Sequence, residues 1–110
     1  MVITSFSDRG LTGDEVVAFA RGVVDEDRRG ELLGHLAEFQ RIAAAEPGTL
    51  LYEWCADRTD PSVLWAYEIH ADVEAPSAHS RNIRSLLPAL GACFRAPPTP
   101  HRCVPLTIPS

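Results

Sequence analysis

The segment from residue 49 to 71 constrains this chain most. Thr49 to Asp57 (TLLYEWCAD) and Ser62 to Ala71 (SVLWAYEIHA) both read as strands. Between them Arg58-Thr59-Asp60-Pro61 reads as a turn, with Pro61 closing it. Successive strand residues point to opposite faces. Pairing across a two-residue turn at Thr59-Asp60 sets Trp54 opposite Trp65 and Tyr52 opposite Tyr67. One face then carries Leu50, Tyr52, Trp54, Val63, Trp65, Tyr67 and Ile69. The other carries Leu51, Glu53, Cys55, Leu64, Ala66, Glu68 and His70. Neither face is composed for water, so the hairpin needs cover on both sides.

The rest of the chain supplies one cover. Residues 1–14, with Gly10 and Gly13, read as an N-terminal tail, and 15–110 as one domain. EVVAFARGVV (15–24) is a valine-rich strand. Asp25, Glu26 and Asp27 place negative charge where a helix begins. Leu32, Leu36, Phe39 and Ala43 follow at helical spacing until Glu46-Pro47-Gly48 stops the helix. After the hairpin, Asp72 is the expected N-cap of a short helical stretch containing Pro76. Ile83, Leu86, Leu87, Leu90 and Phe94 mark a second amphipathic helix from about Arg81, which Pro88 should kink or break. Pro97-Pro98-Thr99-Pro100 reads as a stiff linker, and His101 to Ile108 as a last strand that Pro105 confines to a sheet edge. The order βαββαβ predicts a ferredoxin-like α+β fold: a four-stranded antiparallel sheet with both helices on one face.

Helices on one face leave the other bare. Exposing its aromatic and aliphatic side chains would forfeit roughly 1.5–3 kcal/mol each, in total on the order of a small domain's whole stability. The simplest cover is the same face of a second copy, so a homodimer with face-to-face sheets is expected. Beneath the helices, Ala18, Ala20 and Gly22 leave volume, and the carboxylates and imidazole there predict a polar-lined ligand cavity for a small aromatic or hydrophobic molecule.

Several classes are excluded. The formal net charge of −5 over 110 residues argues against nucleic acid or an anionic membrane surface as partner. All ten basic residues are arginine, which removes Schiff-base and P-loop lysines. No apolar run is long enough to cross a membrane, and no export signal precedes the first strand, so a cytoplasmic protein is expected. Cys55, Cys93 and Cys103 are odd in number and lack paired spacing, which points to buried, reduced thiols. Neither His35 nor His101 has a carboxylate or cysteine at ligand spacing, and His70 and His79 are poorly placed for one ion, so no metal is expected. Nucleotide and flavin motifs are missing.

Residues 43–80, AAAEPGTLLYEWCADRTDPSVLWAYEIHADVEAPSAHS, resemble the antibiotic biosynthesis monooxygenase family of dimeric α+β barrels. The resemblance rests on Glu46-Pro47-Gly48, Tyr52-Glu53, Asp57, Asp60-Pro61, Tyr67-Glu68 and Ala78-His79. It implies a cofactor-independent oxygenase acting on an aromatic quinol, anthrone or polyketide-type substrate, which is deprotonated so that its carbanion reacts with dioxygen. Where the family's aromatic oxygenases carry tryptophan and asparagine, this chain has His70 and Ala66, and their helical arginine is matched by Arg84. The haem degraders' first-strand asparagine has no counterpart, which disfavours that activity.

His70, an imidazole at the end of a strand on the expected cavity face, is the candidate base. Glu68, two residues earlier on the same face, could orient it or act as base itself. A structural His70–Glu68 pair is the alternative. His79, Arg84, Ala66, Leu64 and Glu53 are the candidate substrate-binding residues. The competing function is a dimeric binding protein that holds a small hydrophobic ligand without turnover.

Overall fold

The computed structural model describes residues 10–106 and 108. The strands are β1 (Val16–Val24), β2 (Thr49–Ala56), β3 (Val63–His70) and β4 (Phe94–Cys103). The helices are α1 (Arg29–Ala45), α2 (Ala75–Ile83) and α3 (Leu87–Gly91). The sheet is antiparallel throughout, in the order β2-β3-β1-β4. This is the expected ferredoxin-like α+β arrangement. Of the expected tail, residues 1–9 lie outside the described residues. Before β1, the buried Glu15 carboxylate accepts from the amides of Thr12 (2.6 Å) and Gly13 (2.7 Å).

α1 opens through a 3-10 turn over Glu26–Arg28, where the Asp25 carboxylate accepts from the Asp27 amide. Its buried stripe is Leu32, Leu36, Phe39 and Ala43. The stripe packs with Ile83 and Leu90 from the other helices onto Val24, Leu64 and Phe94 of the sheet. Gly22 lets the Phe94 ring lie flat against β1, since a Cβ there would stand 2.8 Å from both Phe94 and Pro98.

The second helical region is broken, as Pro88 predicts. α2 ends at Ile83, a 3-10 turn spans Arg84–Leu86, and α3 restarts with Pro88 in its first turn. Proline there cannot donate to the carbonyl one turn back. Asp72 does not sit at the helix boundary itself; its carboxylate accepts from Glu74 and Ala75, both at 3.0 Å, and turns the chain into α2.

Three expectations are corrected. Phe94 begins β4 and does not extend the helix. The proline segment is no linker: Pro97, Pro98 and Pro100 lie within β4, and the strand ends at Cys103, well before Ile108. β4 pairs with β1 alone, and the register slips where Pro97 and Pro98 fall. An edge strand with irregular pairing tolerates missing amide donors.

The third correction is the hairpin register. Trp54 pairs with Ala66, Tyr52 with Glu68, and Cys55 with Trp65. The connection is longer than two residues. The Asp57 amide donates to the Val63 carbonyl, and the segment between is stapled by two carboxylates. Asp57 accepts from Thr59 and Asp60, and Asp60 accepts from Ser62. The one-residue slip turns every β2 side chain over. Tyr52 and Trp54 therefore face the helices, and Glu53 and Cys55 face away. A bulge at Leu50 ends this register before Thr49 pairs with His70.

Candidate active site

A cavity of about 370 Å³ lies between the sheet and the helical layer. Its floor is laid by strand register. One row across the sheet reads Tyr52, Glu68, Ala18, Arg102; the next reads Trp54, Ala66, Ala20, Pro100. Three alanines in the middle leave the space, and larger side chains fence it. His79, Ser80, Ile83 and Leu90 close it from the helices.

At one end carboxylates and imidazoles alternate. His70 is buried, and its Nε2 lies 3.1 Å from Oε1 of Glu68. The same Glu68 oxygen lies 3.5 Å from Nε2 of His79. The other nitrogen of His79, Nδ1, lies 2.7 Å from Oε1 of Glu46. Glu46 also accepts from Asn82 Nδ2 at 2.6 Å and from Thr49 Oγ1 at 2.9 Å. Burial by itself would raise the Glu46 pKa, but donation from Asn82, His79 and Thr49 outweighs it and holds the carboxyl below its ordinary range. His79 also borders a second, outer groove together with Glu46 and Asn82, so it stands between the cavity and the protein surface.

Local structure brings these groups together. Glu46 is the C-cap of α1, and Pro47-Gly48 turns the chain immediately into β2. A Cβ on Gly48 would stand 2.8 Å from the Cβ of Ala75, so glycine is what lets this corner meet the start of α2. His79 then falls one turn into that helix, facing Glu46.

A ring-nitrogen count follows from the contacts. A carboxylate accepts only, so the Nε2 of His70 that meets Glu68 is the nitrogen bearing the proton. Its Nδ1 is buried with no hydrogen-bond partner among the described residues. A neutral His70 thus carries an unpartnered lone pair at Nδ1, sealed from solvent, on a side chain that lines the cavity. Tyr52 adds a second polar group. Its hydroxyl accepts from Trp54 Nε1 at 2.9 Å and keeps its own proton to donate. Burial pushes the Tyr52 pKa well above the usual phenol value, against the opposing Trp54 hydrogen bond, and the Glu68 and Glu46 carboxylates push it further.

Of the residues singled out in the sequence, His70, Glu68, His79 and Ala66 share this cavity. Leu64 does not line it but packs in the core. Arg84 is exposed on the 3-10 turn. Glu53 is exposed on the opposite face of the sheet, the register slip having turned it away. Glu46, Asn82 and Arg102 are not among the expected site residues, and Tyr52 and Trp54, expected in the dimer core with cavity lining as the alternative, line the cavity. Glu46 stood in a recognised motif but was read only as a helix stop. Tyr52 and Trp54 were assigned to the other face.

A separate cluster also escaped spacing rules. Glu31 and His35 are one turn apart on α1, and Cys93 joins them just before β4, with ligand-type atoms within 4.8 Å of one another. The Cys93 thiol is fully buried, bonds the Ala89 carbonyl at 3.5 Å, and is pushed up in pKa by that burial, whereas Cys55 and Cys103, also expected to be buried, are exposed.

The family model described as antibiotic biosynthesis monooxygenase (ABM) matches residues 15–86. The chain belongs to this family. No curated protein sequence matches it. Among solved structures, this ABM chain is similar to a conserved protein of Methanosarcina mazei, with a TM-score of 0.79 at 16% identity, covering 83% of this chain and 92% of that one. It is also similar to Rv0793 from Mycobacterium tuberculosis, with a TM-score of 0.77 at 20% identity, covering 87% and 99%. A third is an antibiotic biosynthesis monooxygenase, with a TM-score of 0.74 at 21% identity, covering 86% and 99%. These likenesses concern the fold. The family match spans β1 to the turn after α2, and so contains every member of the Glu46–His79–Glu68–His70 chain.

Proposed function

We propose that this family member is a cofactor-independent oxygenase for a small aromatic quinol, anthrone or polyketide-type substrate, with His70 as the base. The observation that carries this reading is His70 itself: a buried side chain lining the cavity, its Nε2 held by Glu68 and its Nδ1 without a partner among the described residues. His70 takes a proton from the phenol or from the acidic ring carbon. The resulting carbanion is the reductant, and it reacts with dioxygen directly. For an anthrone, the ring CH2 gains one oxygen atom and becomes a carbonyl, while the second oxygen atom leaves with both hydrogens as water. Glu68 holds the proton-bearing nitrogen and stabilises the imidazolium as it forms. Tyr52 donates to the developing oxyanion, and the alanine floor excludes water.

The test is oxygen consumption with anthrones and hydroquinones. Uptake that disappears in His70→Ala supports the reading. Tight binding of these compounds with no uptake by the wild type overturns it, and identifies a binding protein.

The assembly we propose is a homodimer. Members of this family are typically dimeric. The outer face of the sheet carries Phe19, Trp65 and Tyr67, with Phe19 edge-on to Tyr67 at 5.1 Å and the Arg21 guanidinium over Trp65 at 5.9 Å. Tyr52 and Trp54 do not contribute to it. We place the protein in the cytoplasm, in keeping with its three free cysteines. No helix among the described residues is long and apolar enough to cross a membrane.

A further inference from the structure

The charge of the cavity is uneven. Oε1 of Glu68 faces the Nε2 atoms of two imidazoles, at 3.1 Å and 3.5 Å, so this carboxylate already has partners where it stands. Across the floor lies Arg102. It pairs with Ala18 in β4, as Glu68 pairs with Ala18 from β3, so both side chains rise from one row on one face. It is the one arginine in the cavity lining among the described residues, it is exposed, and it joins none of their ion pairs. Two strand spacings separate Glu68 from Arg102, about 10 Å along the row. Between them is only the Ala18 methyl group.

The geometry points to a planar aromatic acid as the ligand class. The ring lies on the alanine floor, with its acidic hydroxyl or C–H toward His70 and an anionic substituent, a carboxylate, paired with Arg102. A guanidinium offers two parallel donors to a carboxylate, which fixes the in-plane direction of the ring as well as adding affinity. Arg102 is in this account the specificity-determining residue. The assignment rests on the cavity being the ring-binding site, as proposed above.

Calorimetric titration of a matched pair tests it. One ligand is a hydroxynaphthoate with hydroxyl and carboxylate at opposite ends of the ring system; the other is the naphthol lacking the carboxylate. The wild type should bind the naphthoate at least about tenfold more tightly, a difference of about 1.4 kcal/mol. Arg102→Gln should reduce the naphthoate to the affinity of the naphthol, and Arg102→Lys should restore part of the preference. Binding of the naphthol by Arg102→Gln shows that the cavity is intact. Equal binding of the two ligands by the wild type, or a preference that survives Arg102→Gln, overturns the role of Arg102 and leaves the ring site standing. If neither ligand binds the wild type, the ring site itself is refuted, and the assignment with it.

Discussion

His79 Nδ1 and Glu46 Oε1 are 2.7 Å apart, although 33 residues separate them in sequence. The contact ties the end of α1 to the second turn of α2, and Asn82 and Thr49 fasten the same carboxylate. Glu46 therefore contributes stability through its charged form. Its folded pKa lies below the ordinary 4.5, so the native state holds fewer protons than the unfolded chain around that pH. The contribution is complete above the ordinary value and is lost as pH falls through the lowered one. Glu46→Gln should cost about 2 kcal/mol at neutral pH. In urea titrations from pH 7 downward, the gap between wild type and variant should close on the acid side. A gap constant with pH would show that the carboxylate charge is not what matters.

Glu68→Gln tests the choice of nitrogen on His70. A glutamine side chain can donate as well as accept, so it no longer dictates which ring nitrogen carries the proton. Turnover of an active quinol or anthrone should fall by roughly 10²–10⁴, the usual worth of a positioned base. The acid side of the rate profile, where a base is lost to protonation, should move too, which simple loosening of the fold would not produce. Unchanged kcat in a folded variant counts against the assigned base.

Tyr52 should stay neutral far into the alkaline range, because burial comes first among the causes that raise its pKa. The chain has two tyrosines. Phenolate absorbance of the wild type should match that of Tyr52→Phe up to about pH 11, beyond the ordinary phenol value. A second phenolate below that pH would mean that the hydroxyl reaches water.

Gly22→Ala should destabilise the domain. The added methyl meets the Phe94 ring and Pro98 at 2.8 Å, and both belong to packed surroundings. Overpacking of this kind costs about 1–3 kcal/mol. Thermal unfolding reads it directly, and a variant as stable as wild type would show that β4 can move away from β1.

Trp65→Arg should split the proposed dimer. It places a second cation beside Arg21 in the middle of the outer face. Light scattering should then give half the mass of the wild type, with the domain still folded. A variant of unchanged mass places the subunit contact elsewhere.

Much of the fold is legible in the sequence because it rests on periodicity. The α1 stripe, the valine-rich β1, and the stop at Glu46-Pro47-Gly48 require only spacing and backbone chemistry. The register of the hairpin is a different kind of quantity. It depends on how many residues the loop consumes, and that was decided by the carboxylates of Asp57 and Asp60 capturing nearby amides. β4 was misread for a related reason. Three prolines argue against a strand in isolation, yet at a sheet edge their missing donors go unnoticed. In the site, His70 and Glu68 were found because two residues on one strand share a face whatever the neighbouring register. Glu46 was missed because its partner comes from a distant helix, which no local spacing announces.

The five-residue reversal between Asp57 and Val63 has a consequence for how relatives of this protein could diverge. A single codon gained or lost there would rotate the neighbouring strand by half a turn. Glu53 and Cys55 would enter the chamber, while a tyrosine and a tryptophan would be handed to the outer face, the proposed subunit boundary. Ligand preference and self-association would change together in one mutational step, with no substitution in either surface.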